Sequence, residues 1–341
     1  MPRLVKKAQA FLNRFADNRE TYILAAAKLQ GFIAKSIADL PIAIHVTVAR
    51  SKTAASLRRK CRQKGYKNPA VQVTDLLAVR VITYFKGDVD AVADRLRRLL
   101  DISERKSRDA RKQLTENQFG YRSVHLIARL RPRSAEEQPE IGRRWFEIQI
   151  RSILDHAWSE IEHEIIYKSG IEYPKDVRRR FKALAASLET LEDSFAILAT
   201  ERDKLIEGYA LDYRNGVATN KRFDVARMQA CLEVLRPSGV SWRAAEKSAN
   251  PFPHGIAPAA LEALGACALN TARRLQRVIG SKRFRETVMR FASLERIASD
   301  TVSHLAIIVL AVAVTKPDLL REQFPDIVFS PVVTKAANIA L

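Results

Sequence analysis

The sequence predicts an α+β fold, in which strands and helices are mixed up to about residue 172 and an all-helical region follows. Before that residue, short segments with period-two alternation and β-branched side chains lie between segments with helical spacing of apolar residues. After Pro174 only long amphipathic helical patterns occur. Since 341 residues exceed one ordinary domain, we expect two, over 1–172 and 173–341.

The first half carries the strand patterns. Its expected elements, in chain order, are a helix over 5–37, a strand over 42–50, a basic helix over 51–64 and then a strand over 79–85, a helix over 88–100, strands over 121–130 and 144–152, and a helix over 153–168. The charged stretch 103–117 has little apolar periodicity and is expected to be a loop or a short exposed helix.

The second half is expected to contain helices only. Their expected spans are 176–206, 222–236, 258–279, 281–299 and 302–314. The last of them is apolar but shorter than the roughly 20 residues that span a bilayer, which indicates a buried helix and no membrane partner. Three widely separated cysteines favour a reducing compartment, and we expect a cytoplasmic protein.

The charge of the chain is unusual. Lys and Arg number 58 against 38 Asp and Glu, which leaves +20. This balance favours a polyanionic partner such as a nucleotide, RNA or an acidic membrane surface. Composition alone is equally compatible with a soluble protein that has a basic surface.

A first group of candidate site residues follows the first expected strand. Lys52, Ser56 and Lys60 have the i, i+4, i+8 spacing of one helix face, and Arg50 precedes them. Cations, a hydroxyl and the positive end of a helix dipole suit a polyphosphate chain. A solvated basic helix face would produce the same pattern.

Two carboxylates form a second group. Asp75 precedes an apolar strand, and Glu147 lies on the polar side of a strand whose other side carries Phe146, Ile148 and Ile150. Two carboxylates from different strands are the smallest protein contribution to a Mg²⁺ site that phosphates and water complete. The alternative for Glu147 is a surface ion pair with Arg151.

A third group is the alternating set Tyr121, Ser123 and His125, which suits stacking on a base and hydrogen bonding to ribose or phosphate. Tyrosine and histidine on strands are also common packing residues. On the helix that follows, His156 and Glu160 are four residues apart, but their order is not that of the zinc-binding H-E-x-x-H motif.

The order of these groups carries more information than any one of them. The segments ARSKTAASLRRK, TDLLAVRVITYF, NQFGYRSVH and FEIQIRSILDHAWSEIEHEIIYK resemble, in this order, the synthetase domain of the RelA/SpoT family. The resemblance covers about residues 42–170. It implies a nucleotidyltransferase-like mixed β-sheet flanked by helices, and transfer of the pyrophosphate of ATP to the 3′-hydroxyl of GTP or GDP, which yields (p)ppGpp and AMP.

The resemblance also implies roles for the residues that bind ATP. Arg50 and Arg80 would stack on the two faces of the adenine, a contact that a planar guanidinium makes and lysine does not. Lys52, Ser56 and Lys60 would bind the phosphates.

For the acceptor side, the resemblance implies that Asp75 and Glu147 bind Mg²⁺ and that Glu147 acts as the base toward the acceptor hydroxyl. Tyr121 would stack on the guanine. The other acceptor-binding residues would be His125, Gln149 and His156.

The chain departs from the family pattern at two places. Ala78 stands where the family usually has glycine, and Glu116–Phe119 replaces a segment that usually contains a Pro-Lys pair before Gly120. No His-Asp dipeptide occurs, so a synthetase without hydrolase activity is expected. Two alternatives remain: a toxic relative that pyrophosphorylates the 3′ end of tRNA, and an inactive nucleotide- or RNA-binding module. A tRNA, a ribosome or a second copy are further expected partners.

Overall fold

The computed structural model describes residues 6–40, 42–113, 123–167, 173–217, 219–235, 256–295 and 304–322. The chain consists of two compact units, Met1–Ala196 and Ile197–Leu341. The division between them falls inside one 40-residue helix. The domain boundary expected at residue 172 therefore stays a prediction.

A mixed β-sheet of six strands forms the centre of the first unit. The strands are β1 (Ile44–Ser51), β2 (Leu77–Thr83), β3 (Asp101–Ile102), β4 (Arg108–Asp109), β5 (Val124–Arg129) and β6 (Phe146–Ser152). Their spatial order is β1-β2-β6-β5-β3, with β4 also paired to β5. The β2–β6 pair is parallel and the others are antiparallel, which confirms the expected fold class.

One face of this sheet is apolar because the strands alternate. Phe146, Ile148 and Ile150 on β6 are fully buried, as expected from the sequence, and Val79 on β2 is equally buried. The opposite face of β6 carries polar side chains, of which the first two, Glu147 and Gln149, are only partly covered. Burial of the apolar face fixes the register of the strands, since a shift by one residue would expose it.

Eight helices of the described residues surround or follow this sheet. They are α1 (Lys6–Asp17), α2 (Arg19–Ile37), α3 (Ala54–Lys64), α4 (Pro69–Gln72), α5 (Asp88–Leu99), α6 (Pro132–Glu137), α7 (Ile153–Glu162) and α8 (Lys175–Arg214). Helices α2 and α5 pack their buried faces on the sheet. The helical spacing expected over 5–37 corresponds to two helices, because the chain breaks between α1 and α2 at Asn18, whose side-chain amide donates a hydrogen bond of 2.8 Å to the Arg14 carbonyl.

The charged stretch 103–117 was expected to be a loop or a short exposed helix. Its described part, 103–113, has more regular structure than a loop. It contains strand β4, which pairs with β5, and a 3₁₀ turn over Ala110–Gln113. Arg111 holds this segment through contacts of 2.6 Å to Asp90 and 2.8 Å to Asp109. The ion pairs thus supply order that apolar periodicity did not indicate.

The second unit is helical. Its described helices after α8 are α9 (Val225–Val234), α10 (Ile256–Ala266), α11 (Ala272–Ile279), α12 (Lys282–Glu295), α13 (His304–Thr315) and α14 (Pro317–Glu322). The single helix expected over 258–279 is wrong: Ala268 has a φ of 56°, and Thr271 caps a new helix by accepting a hydrogen bond from the Arg274 backbone N–H. No helix in the described part of the chain is both long and apolar enough to span a membrane.

The start of α7 depends on a buried serine. Ser152 is fully buried, accepts a hydrogen bond of 3.1 Å from the Asp155 backbone N–H and donates to the carboxylate of Glu192, which is only 4% exposed. We expect Ser152→Ala to lower the free energy of unfolding by about 1–3 kcal/mol, because it removes a helix cap and a partner of a buried carboxylate. Urea unfolding measures this loss.

The control for that measurement is Ser187→Ala. Ser187 is exposed on α8 and donates only to the Ala183 carbonyl of its own helix. We expect the free energy of unfolding of this variant to differ from that of the wild type by less than about 0.5 kcal/mol. Equal losses in both variants would show that the Ser152 contacts do not stabilise the unit.

Candidate active site

The polar face of the sheet brings expected site residues from three strands side by side. The strand register places Arg50 opposite Ala78, and Ala78 opposite Glu147. The next row along the strands contains Arg80 opposite Gln149. Since residues two apart on a strand share a face, Arg50 and Arg80 project from the same face of two neighbouring strands.

Ala78, the residue that replaces the usual glycine, lies inside this row. It is 5% exposed within β2. Its φ is not positive, since Ala268 is the one non-glycine residue of the described chain with a positive φ. The backbone at Ala78 therefore does not need the conformation that favours glycine. A methyl group is accommodated there without backbone strain.

Asp75 lies just before β2 and binds two lysines. Its Oδ2 is 2.6 Å from the Nζ of Lys52 and 2.9 Å from the Nζ of Lys60. Asp75 and Lys52 are 14% and 8% exposed. Burial of Asp75 acts to raise the pKa of its carboxyl, but the hydrogen bonds and positive charges of the two lysines outweigh burial and lower the pKa below its ordinary value.

The two lysines reach Asp75 from different parts of the backbone. Helix α3 begins at Ala54, with Thr53 as its cap, so the expectation that Lys52 shares a helix face with Ser56 and Lys60 is wrong. Lys52 lies in the extended segment after β1, where its N–H donates 2.8 Å to the Leu76 carbonyl. Ser56 is half-buried on the first turn of α3.

Glu147 is bound by a histidine on the neighbouring strand. The Nδ1 of His125 is 2.6 Å from the Oε1 of Glu147, and both side chains are largely buried. Burial acts to raise the pKa of Glu147, whereas His125 and a hydrogen bond from Gln149 lower it, and the net pKa lies below its ordinary value. The Glu147 carboxylate is therefore ionised at neutral pH.

The two carboxylates fit the divalent cation expected from the sequence. The negative charge of Asp75 acts to raise the pKa of Glu147, so the two groups are close enough to interact. The Oδ1 of Asp75 is buried and has no hydrogen-bond partner among the described residues. Carboxylate oxygens are the ligands that Mg²⁺ prefers, and a cation bound by these two groups would take its remaining ligands from phosphates and water.

The carboxylate of Glu160 on α7 lies near two arginines and a histidine of the same face. Its Oε1 is 2.9 Å from Arg80 Nη1, 3.7 Å from Arg151 Nη2 and 3.8 Å from His156 Nδ1. Burial, followed by the charge of Arg151, lowers the pKa of His156. His156 therefore lies on the Arg80 side of the face, and His125 lies beside Glu147.

Sequence reasoning missed part of this arrangement. Glu160 stood out only as the residue four positions after His156, and Arg151 only as a neighbour of Glu147. Arg151 is 1% exposed, a burial that a run of alternating polar residues does not reveal. Tyr121 lies outside the described residues, so its expected place at the acceptor remains a prediction.

Comparison with known proteins gives matches over this part of the chain. A family model described as a region found in RelA/SpoT proteins matches residues 49–172. The GTP pyrophosphokinase YwaC of Bacillus subtilis (strain 168) is 30% identical over 164 residues, which are 47% of this chain and 76% of the relative. The GTP pyrophosphokinase YjbM of the same organism is 25% identical over 159 residues, which are 46% of this chain and 73% of that relative.

Solved structures give matches of similar extent. The small alarmone synthetase 1 of Bacillus subtilis has 23% sequence identity and a TM-score of 0.45, over 56% of this chain and 99% of the other. The small alarmone synthetase 2 of the same organism has 25% identity and a TM-score of 0.44, over 57% of this chain and all of the other.

Proposed function

The chain belongs to the RelA/SpoT family, and from that premise we propose that it transfers the pyrophosphate of ATP to the 3′-hydroxyl of GTP or GDP. The observation that carries the proposal is a pair of interacting carboxylates: Asp75, before β2, is bound by two lysines, and Glu147, on the polar face, is bound by His125. The similar curated relatives are named GTP pyrophosphokinases. We propose a synthetase without hydrolase activity.

The donor nucleotide is proposed to occupy the side of the face with Arg50, Arg80 and the lysines. Arg50 is exposed and Arg80 half-buried, so two guanidinium planes are available to an adenine. Lys52 and Lys60 meet at Asp75 and present two positive charges to a triphosphate. Binding of ATP with Mg²⁺ would let Lys52 and Lys60 exchange part of their contact with Asp75 for phosphate oxygens.

Glu147 is proposed to accept the proton of the acceptor 3′-hydroxyl. Its pKa below the ordinary value keeps it ionised, and the hydrogen bond from His125 fixes one carboxylate oxygen so that the other can face the acceptor. The hydroxyl oxygen then bonds to the β-phosphorus of ATP, the bond from that phosphorus to the α,β-bridging oxygen breaks, and AMP leaves. Gln149 and His125 are proposed to orient the ribose.

Asp75 and Glu147 are the residues that would hold Mg²⁺. When bound, this ion neutralises charge on the transferring phosphates. The protein's own part is to place two ionised carboxylates beside two lysines, whose charges cancel. With Mg²⁺ bound, the group would carry a net positive charge that attracts the phosphates of ATP.

We propose a guanine nucleotide as the acceptor, with the 3′ end of tRNA as the second candidate. The charge of +20 favours the second candidate, because it exceeds what one nucleotide requires. An inactive binding module is the third. Incubation with ATP, GTP and Mg²⁺ should release AMP and a guanosine 3′-pyrophosphate in equal amounts, whereas ATP binding without AMP release under any acceptor would support the inactive module.

The proposed adenine contact gives a prediction for Arg80→Lys. The charge is kept, and Lys can still reach Glu160, but the stacking plane is lost. We expect the KM for ATP to rise about tenfold with a small change in kcat, since the stacking of a guanidinium is worth about 1–2 kcal/mol. Initial rates at varied ATP concentration measure this split.

Arg95→Lys is the matched control, because Arg95 also pairs with a carboxylate, Asp39 at 2.7 Å, but lies on α5. We expect its KM for ATP to equal that of the wild type. An unchanged KM in Arg80→Lys would remove Arg80 from the adenine site.

A further inference from the structure

The second unit carries a dense group of positive charges around helix α11. No acidic residue occurs between Glu262 and Glu286, whereas this segment contains six arginines and lysines. Three of them, Arg273, Arg274 and Arg277, lie on α11 and are exposed. Because the opposite side of α11 is buried in the core of the unit, these three guanidinium groups lie on one face of the helix that contacts solvent.

A second segment of the same unit brings two more positive charges to the start of α11. Arg222 forms an isolated β-bridge with Thr271, and the backbone N–H of Arg273 donates a hydrogen bond of 3.0 Å to the Thr219 carbonyl. Lys221 and Arg222 are both exposed. We define the basic surface as the side chains of the two segments together, which are Lys221, Arg222, Arg273, Arg274 and Arg277.

The basic surface lacks carboxylates that would compensate its charge. None of the five side chains forms an ion pair with a described residue, and Arg274 donates hydrogen bonds only to uncharged oxygens. The acidic residues nearest in sequence, Asp224 and Glu286, pair instead with Arg227 and Lys282. Positive charges so close together repel one another, and a polyanionic partner would relieve this repulsion.

The helix that presents three of these arginines is the second helix of a helix–turn–helix pair. Helices α10 and α11 are separated by the five residues 267–271. The turn closes through Ala268, whose φ is 56°, and through a hydrogen bond of 2.7 Å from the Leu269 N–H to the Leu264 carbonyl. Buried leucines of both helices belong to one core. In DNA-binding proteins with this order of elements, the second helix lies in the major groove.

We propose that the basic surface binds double-stranded DNA, with α11 in the major groove. A helix with its side chains is about 10–12 Å across, and the major groove of B-DNA, about 12 Å wide, admits it. Gln276 is exposed among the arginines of α11, and arginine and glutamine hydrogen bond to the edges of guanine and adenine in this groove. Lys221 and Arg222 would bind phosphates beside the groove. The proposal does not depend on the reaction of the candidate active site.

Two features of the basic surface favour DNA over RNA. The major groove of an RNA duplex is too narrow for side chains to read, so the arginines on the exposed face of α11 could not enter it. Proteins that bind single strands use exposed aromatic side chains on which the bases stack. The segments of the basic surface, 219–223 and 271–279, contain one aromatic residue, Phe223, and its ring packs against the core of the unit.

Binding of a labelled DNA duplex to the full chain tests the surface. With a duplex of about 20 base pairs, fluorescence anisotropy over a series of salt concentrations gives the slope of log K against log salt. Arg273→Gln/Arg277→Gln should lower the affinity about tenfold or more and make this slope shallower by about 2, since two phosphate contacts are lost. Lys221→Gln/Arg222→Gln, on the other segment, should have a similar effect. Helix content should be unchanged in both variants, because the four side chains are exposed.

The control is Arg179→Gln/Arg180→Gln, which removes the same charge from two exposed arginines of the first unit and should bind DNA as the wild type does. A wild type that does not bind the duplex overturns the proposal. Equal affinity in the control and in the two surface variants overturns the assignment of the surface. If an RNA duplex of the same sequence or bulk tRNA binds more tightly than the DNA, the choice of DNA as the partner is wrong.

Discussion

Glu147→Gln is expected to lower kcat for pyrophosphate transfer by a factor of about 10³ or more, because it removes the proposed base and one of two metal-binding carboxylates. The amide keeps the size of the side chain and can still hydrogen bond to His125. Its apolar neighbours on β6 are fully buried, so the strand should stay in place. AMP release from ATP and GTP under saturating conditions measures the loss.

Glu137→Gln is the control for this variant. Glu137 is 60% exposed on α6 and pairs with Arg133 on the same helix. It should have the activity of the wild type and the same free energy of unfolding. If Glu147→Gln makes product as fast as the wild type, Glu147 is not the base.

Asp75→Asn is expected to lower both activity and stability. The amide is a weaker partner for Lys52, which is only 8% exposed, and for Lys60. Loss of a carboxylate beside a buried ammonium costs about 2–4 kcal/mol in the free energy of unfolding. Loss of the second metal-binding carboxylate should lower kcat by about 10²-fold or more. Urea unfolding and initial rates measure the two effects.

The pH dependence of stability separates this ion pair from a general effect of the substitution. Because the folded-state pKa of Asp75 lies below its ordinary value of 3.8, the ionised carboxylate stabilises the fold fully above that value. The stabilisation is lost as pH falls through the folded-state pKa. The difference in unfolding free energy between wild type and Asp75→Asn should therefore be constant near neutrality and narrow below about pH 4.

The control is Asp39→Asn, which alters an ion pair with Arg95 whose Asp39 side chain is 49% exposed. A surface pair of this kind contributes about 0–1 kcal/mol. Equal destabilisation by both substitutions would contradict a special role for the buried pair at Asp75.

Much of the polar face could be predicted from local patterns. Alternation in β6 placed Glu147 and Gln149 opposite three apolar residues, and the structure confirms the buried side. Strands also follow directly from β-branched runs such as the one in β1. These features depend on neighbours within a few residues, which a sequence displays.

The contacts that complete the site could not be predicted in the same way. Lys52 donates a hydrogen bond to Asp75, 23 positions further along the chain, and Arg80 donates one to Glu160, 80 positions further along. Neither spacing corresponds to the period of a helix or a strand. The break at Asn18 and the turn at Ala268 depend on single hydrogen bonds and one backbone angle, whereas apolar spacing continues through both segments. These contacts and helix breaks are therefore determined by tertiary packing, which local propensity does not predict.

Transfer of label from ATP tests the proposed reaction most directly. ATP labelled at the γ-phosphate would be offered with Mg²⁺ and equal amounts of GTP, GDP and bulk tRNA, with Glu147→Gln in parallel. We expect label in guanosine 3′-pyrophosphates, one AMP for each labelled product, and almost none of either with the variant. Label in tRNA instead would identify the RNA end as the acceptor, and no labelled product with any acceptor would contradict pyrophosphate transfer itself.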